Sequence, residues 1–382
     1  MKHFGYELTD EETQIAEVAA DLATRVVAPG AAERDRTGRF PAEILAELAK
    51  LGFLAMKVPA QDGGAGLSNV GYALAMQAIA KACASTAVVL ASSNLTAKIL
   101  AEHATGDQRT LLARYARGEL GPGSFALTEA RGGSDAAAIR TRATRDGDAW
   151  VLDGEKVWIT SATHAGFHLV FARSDGDGKD GISCFLVERG TPGLTVGREE
   201  DKMGQRSSGT ATLAFDGCRV PATNLVGRRG GGYGVALSAL GGGRVGIAAL
   251  SLGLAEAAYA AGVAYAAERE VFGKPLSAMQ NTQFVLADSR TELDAAWLLM
   301  LRAARALDAG ERAGAECSMA KLFATEACGR VVDRMLQLHG GYGYSREFPI
   351  ERLYRDARVT RIYEGTSEIQ RLVIAREILS SV

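Results

Sequence analysis

Between residues 121 and 229 the chain changes texture. Asp146-Gly147, Asp153-Gly154, Asp180-Gly181 and Asp216-Gly217 are hairpin-type turn pairs, and short β-rich runs such as Trp150-Val151-Leu152 and Lys156-Val157-Trp158-Ile159 lie between them. Ala211-Thr212-Leu213-Ala214-Phe215 alternates in the same sense, and Pro221 with the glycines from 227 to 234 closes the region. This predicts an antiparallel β domain. On both sides of it the apolar residues recur at helical spacing, so the chain reads as an α+β protein. Its expected domains are a helical one over 1–120, the β domain over 121–229 and a helical bundle over 230–382. A chain of 382 residues is long for one core, which agrees with several domains.

The helical blocks carry their own punctuation. Thr9-Asp10-Glu11-Glu12 has the form of a capping box, followed by Ile15, Val18, Ala19 and Leu22 on one face. That helix stops before Pro29-Gly30. Pro41 suits a first helical position, Ile44, Leu45, Leu48 and Leu51 a buried stripe, and Gly52 its end. Further helices are expected at about 69–84, 94–103 and 108–117. Beyond the β region, long helices are expected at about 235–268, 277–309, 313–338 and 366–380, with Phe284, Leu293, Trp297 and Leu301 in their core.

Several function classes drop out. A net charge of -2 offers no basic excess for nucleic acid or an anionic membrane. The five cysteines form no C-x-x-C pair and the five histidines no ligand spacing, so no metal is expected. No uninterrupted apolar run spans a bilayer, and Met1 leads almost at once into the capped helix, so a cytoplasmic protein is expected. Arginine outnumbers lysine roughly threefold, which suggests a GC-rich bacterial source. Gln61-Asp62-Gly63-Gly64-Ala65-Gly66 lacks the order of a phosphate loop and reads as a turn. No G-x-G-x-x-G follows a strand, so a dinucleotide would have to be held without a Rossmann frame.

Near the C-terminus, Glu364 stands between Tyr363 and Gly365 in a joint before a helix that Thr366 or Ser367 can cap. Most loop glutamates are solvated, but a carboxylate on such a joint can also project into a cleft. The run Tyr363-Glu364-Gly365-Thr366-Ser367-Glu368-Ile369-Gln370-Arg371 resembles the C-terminal signature of the acyl-CoA dehydrogenases, flavoproteins that desaturate acyl thioesters. Phe125-Ala126-Leu127-Thr128-Glu129 with Gly132-Gly133-Ser134-Asp135, and then Trp158-Ile159-Thr160-Ser161, resemble two more family signatures in the right order. The resemblance extends over the whole chain and is nearest to the short-chain branch.

The resemblance implies FAD bound between the β domain and the C-terminal bundle, and Glu364 as the base that takes the α proton. It implies that Phe125, Leu127, Thr128, Trp158 and Thr160 approach the flavin ring, and that Ser134 lies near phosphate and CoA. Arg269, Phe272 and Gln280, with Gln337 and Gly341, match segments that reach the flavin of a neighbouring subunit. Thr366 and Glu368 match further flavin contacts. Arg244, Tyr363 and Gly365 match substrate-side positions, and Asn94 and its neighbours the wall of the acyl pocket. It further implies an acyl-CoA substrate, an electron-transfer flavoprotein as acceptor and a homotetramer. One departure stands out: the chain reads Leu240-Gly241-Gly242-Gly243-Arg244 where relatives often carry Leu-Asp-x-x-Arg, so the aspartate that helps to orient the pantetheine arm is absent. An oxidase on the same scaffold and a silent thioester-binding subunit remain alternative readings at this level.

Overall fold

The computed structural model describes residues 6–380. The expectation about Met1 falls outside them. The N-terminal block holds α1 (Asp10–Leu22), a π turn (Ala23–Val27), α2 (Ala31–Thr37), α3 (Ala42–Lys50), α4 (Asn69–Ala82), α5 (Ala84–His103) and α6 (Asp107–Ala116). The capping box forms as read: Thr9 N–H donates to Glu12 Oε2 at 2.9 Å and Glu12 N–H to Thr9 Oγ1 at 3.2 Å. α5 begins ten residues before its expected start. The run from Ala84 to Asn94 is buried almost all round, which leaves no polar face for a periodicity argument to find. By length and mean hydropathy α5 could cross a bilayer, as could the helix over 232–268, although polar and charged residues interrupt both; both are mostly buried inside the protein.

The middle block is one sheet of eight strands: β1 (Gly123–Ala126), β2 (Arg142–Asp146), β3 (Ala149–Ile159), β4 (Phe167–Arg173), β5 (Ile182–Glu188), β6 (Leu194–Glu199), β7 (Ala211–Pro221) and β8 (Leu225–Val226). The order is β6-β7-β3-β2-β4-β5-β8, with β1 on β4. Two expectations need correction. Asp153-Gly154 and Asp216-Gly217 are not hairpin ends. They lie inside β3 and β7, where the ladder between those strands shifts register after Leu152, and Gly217 takes φ 57°. Bulges use the same glycine conformations as turns, so the residue types cannot tell them apart. The sheet is also not wholly antiparallel. β1 runs parallel to β4, and β2 touches β4 through one parallel pair, because the β2–β3 hairpin lies within the crossover between them.

The last block has α7 (Gly232–Glu268), a hairpin of β9 (Glu270–Val271) and β10 (Lys274–Pro275), then α8 (Gln280–Asp308), α9 (Gly314–His339), α10 (Ile350–Arg358) and α11 (Ser367–Ser380). α7 packs on α9, α8, α4 and α5 and so joins the two helical blocks. Alternation along β4 sends Phe167, Leu169 and Phe171 into that helical core, and Val170 and Ala172 into a second core inside the sheet. Leu293, Trp297 and Leu301 are buried as expected, but Phe284 is 58% exposed because it lies on the outer face of α8.

Candidate active site

Glu364 is placed by α9, α10 and the start of α11. Its backbone has φ 51°, a left-handed conformation that costs a non-glycine residue energy, and Gly365 follows at φ 90°. Neighbours hold the strained joint. Lys321 Nζ donates to the Gly365 carbonyl at 2.8 Å, and Gln370 Nε2 donates to the carbonyls of Gly365 (2.9 Å) and Glu364 (3.2 Å). Thr366 Oγ1 accepts from Ile369 N–H at 3.4 Å and so caps α11. The Tyr363 hydroxyl accepts from Gln205 Nε2 at 3.1 Å, tying the joint to the segment before β7.

The Glu364 side chain points at α7. Oε2 is enclosed and unpartnered among the described residues, and a Cβ at position 243 would collide with it. Gly243 is therefore what leaves the carboxylate room. Arg244, the next residue, is buried; Nη1 donates to Ser318 Oγ at 3.2 Å while Nε has no partner among the described residues. Burial pushes the Glu364 carboxyl up to about 7, against the opposing charges of Lys321, Arg244 and Lys57. A carboxyl poised there can take a proton near neutral pH.

A second cluster lies on the sheet. Lys156, wholly buried on β3, donates to the Leu127 carbonyl at 3.1 Å and to Glu129 Oε1 at 2.7 Å. Glu129 also accepts from Arg140 N–H, Thr141 N–H and Thr141 Oγ1, and Val157 N–H donates to the Thr128 carbonyl at 2.9 Å. The segment bearing Phe125, Leu127 and Thr128 is thus fastened to the one bearing Trp158 and Thr160. Trp158 has φ 61° and presents its ring 62% exposed. Ser134 lies on the exposed loop beyond, beside Gly132 and Gly133.

A third cluster is separate. Arg269 and Gly341 line a groove of about 530 Å³ with Tyr265, His339, Gly340 and Tyr342, and none of these surrounds Glu364. The Arg269 guanidinium lies over the Tyr342 ring at 5.5 Å, and Gly340 and Gly341 face open space. Phe272 is 97% exposed at the tip of the β9–β10 hairpin; Gln280 and Gln337 are exposed on α8 and α9, as is Glu368 on α11. Asn94 does not wall a pocket. It is buried, and its amide bonds the backbone of Met56, Phe53 and Leu90.

These features fit a flavin dinucleotide. An exposed indole near the end of a clamped strand suits a planar ring, and a guanidinium beside side-chain-free backbone suits a diphosphate. Family models described as acyl-CoA dehydrogenase N-terminal, middle and C-terminal domains match residues 9–119, 124–218 and 230–379. The chain belongs to the acyl-CoA dehydrogenase family. Its FAD-dependent members are oxidoreductases of acyl-CoA thioesters. The mouse mitochondrial short-chain specific acyl-CoA dehydrogenase is 44% identical over 98% of this chain and 92% of its own length. The butyryl-CoA dehydrogenase of Megasphaera elsdenii superposes with a TM-score of 0.95, at 38% identity over 98% of this chain and 99% of that one. A glutaryl-CoA dehydrogenase of Mycobacterium smegmatis, solved with FADH2, gives 0.93 at 31% identity over 98% and 95%.

Lys321, Lys156 and Gln205 were not singled out from the sequence. Lys321 sits in the stripe Cys317, Ala320, Ala324, Cys328, all buried, so a lone lysine on an apolar helix face was the available signal. Lys156 interrupts a buried strand face in the same way.

Proposed function

We propose that this protein removes the α proton of a short acyl-CoA with Glu364 and yields a trans-2-enoyl-CoA. The observation that carries the reading is Glu364 Oε2, enclosed and unpartnered among the described residues, opposite Gly243, with burial holding the carboxyl near the pH at which it must work. The thioester carbonyl needs donors as charge builds on its oxygen. The backbone N–H of Glu364, which meets no acceptor among the described residues, is the donor on this chain. When bound, FAD supplies the acceptor for the β hydride. Phe125, Leu127, Thr128, Trp158 and Thr160 would hold its ring, with Ser134, Thr366 and Glu368 beside it. Arg244, Tyr363 and Gly365 would bound the substrate.

Arg269, Phe272, Gln280, Gln337 and Gly341 would hold the diphosphate and adenosine of a neighbouring copy's FAD. The exposed Phe272, Phe284 and Tyr344 support burial of this face in a homotetramer. An electron-transfer flavoprotein is the proposed electron acceptor, and the cytoplasm the proposed location. The test is anaerobic mixing of the purified yellow protein with butyryl-CoA. Bleaching of the flavin absorbance is expected; protein that holds no flavin after reconstitution with FAD would refute the reading.

A further inference from the structure

Lys57 touches neither Glu364 nor its joint, yet its charge acts on that carboxyl. It lies in the stretch that Asn94 anchors through Phe53 and Met56, and its Nζ sits 4.6 Å above the Tyr72 ring and 3.5 Å from Asn69 Oδ1. A Cβ at position 242 would lie 3.0 Å from that ammonium, and position 243 is the one that faces the Glu364 carboxylate. Ammonium and carboxylate therefore stand over successive residues of α7. Lys98 is the other lysine against Gly242, but it pairs with Glu102. Among the described residues Lys57 has no carboxylate partner. Lys57 is part-buried, and a ring face with one long amide contact offsets little of the cost of drawing its ammonium out of water. Burial lowers its pKa to about 8, with Lys98 acting the same way and the more distant charges of Glu102 and Glu364 opposing.

We infer that the acyl group taken by this site ends in a second carboxylate that pairs with Lys57, making the substrate class a short dicarboxylic acyl thioester. The inference rests on the proposed function and narrows it. The anion beside Glu364 must come from the acyl group, since the long pantetheine arm that separates a thioester from the CoA phosphates is uncharged. The glycines supply the space: nothing lies within 4 Å of a Cβ at 241, and a side chain at 242 would take the room in front of Lys57. A cation is also what lets two carboxylates, the ligand's and that of Glu364, lie close together without repelling the base into its protonated form.

The test compares succinyl-CoA and glutaryl-CoA with butyryl-CoA and valeryl-CoA on the FAD-loaded protein. The readouts are kcat/KM for flavin reduction and calorimetric Kd. The wild type is expected to favour the dicarboxylic thioesters by about tenfold or more, and Lys57→Met to lose that preference while retaining the neutral ones. Preference of the wild type for butyryl-CoA, or an equal loss on both classes in Lys57→Met, would overturn the inference and leave the proposed function standing. Flavin that no thioester reduces would overturn both. Should Lys57→Met not fold, Lys57→Gln and the wild-type preference decide.

Discussion

Glu364 combines a strained backbone, an enclosed oxygen and a raised pKa, and each yields a separable expectation. Proton abstraction needs the carboxylate, so kcat/KM should rise with pH and level off above about 7. Stability should move the opposite way. The folded state holds the proton from the ordinary value of 4.5 up to about 7 while the unfolded chain has lost it, so stability falls as pH climbs through that window. Relative to wild type, Glu364→Gln should therefore gain melting temperature between pH 5 and pH 8; a difference that does not change with pH would contradict the burial of the charge. At Gly243, a glutamate added to the wild type would collide with Oε2 and should destabilise. In a Glu364→Gly background the same change has room, and should restore part of the flavin reduction measured by stopped flow. The joint and its glutamate were legible because glycine and capping residues mark a break in a helical pattern. Lys321 and Lys57 were not, because a lysine's burial depends on what packs over it.

The element that orders the proposed flavin face is β3, through the Lys156–Glu129 pair. Breaking a buried pair from one side typically costs about 3–5 kcal/mol, since the partner charge is left behind. Lys156→Met should thus lower thermal stability and also loosen FAD, because the Leu127 carbonyl and Glu129 lose the group that ties them to the Trp158 strand. Calorimetric melting and flavin content after gel filtration check both. Loss of stability with full flavin retention would confine Lys156 to packing. The elements themselves were read with uneven success. Long helices with glycine or proline at their ends stood out, as α8 and α9 show. β3 was read as separate short runs because the bulge at Gly154 imitates a turn, and α10, nine residues after a glycine-rich turn, was missed.

Across the whole molecule, the α, β, α order was legible because periodicity changes twice along the chain, whereas the proposed sharing of a site between copies depends on surfaces that one chain leaves exposed. Arg269→Ala should weaken FAD retention by about tenfold and shift the assembly toward smaller species in the same samples. Light scattering alongside flavin content checks the coupling, and unchanged values for both would place Arg269 outside the cofactor site. The joining of the helical blocks by α7 puts Gly243 and Arg244 across from Glu364, so the chemistry depends on that alignment more than on any one domain. The most direct test is stopped-flow reduction of the flavin by acyl-CoA in wild type and Glu364→Gln under anaerobic conditions. The variant should keep its FAD and bind thioester while reducing about 10²–10⁴-fold more slowly; reduction at the wild-type rate would show that Glu364 is not the base.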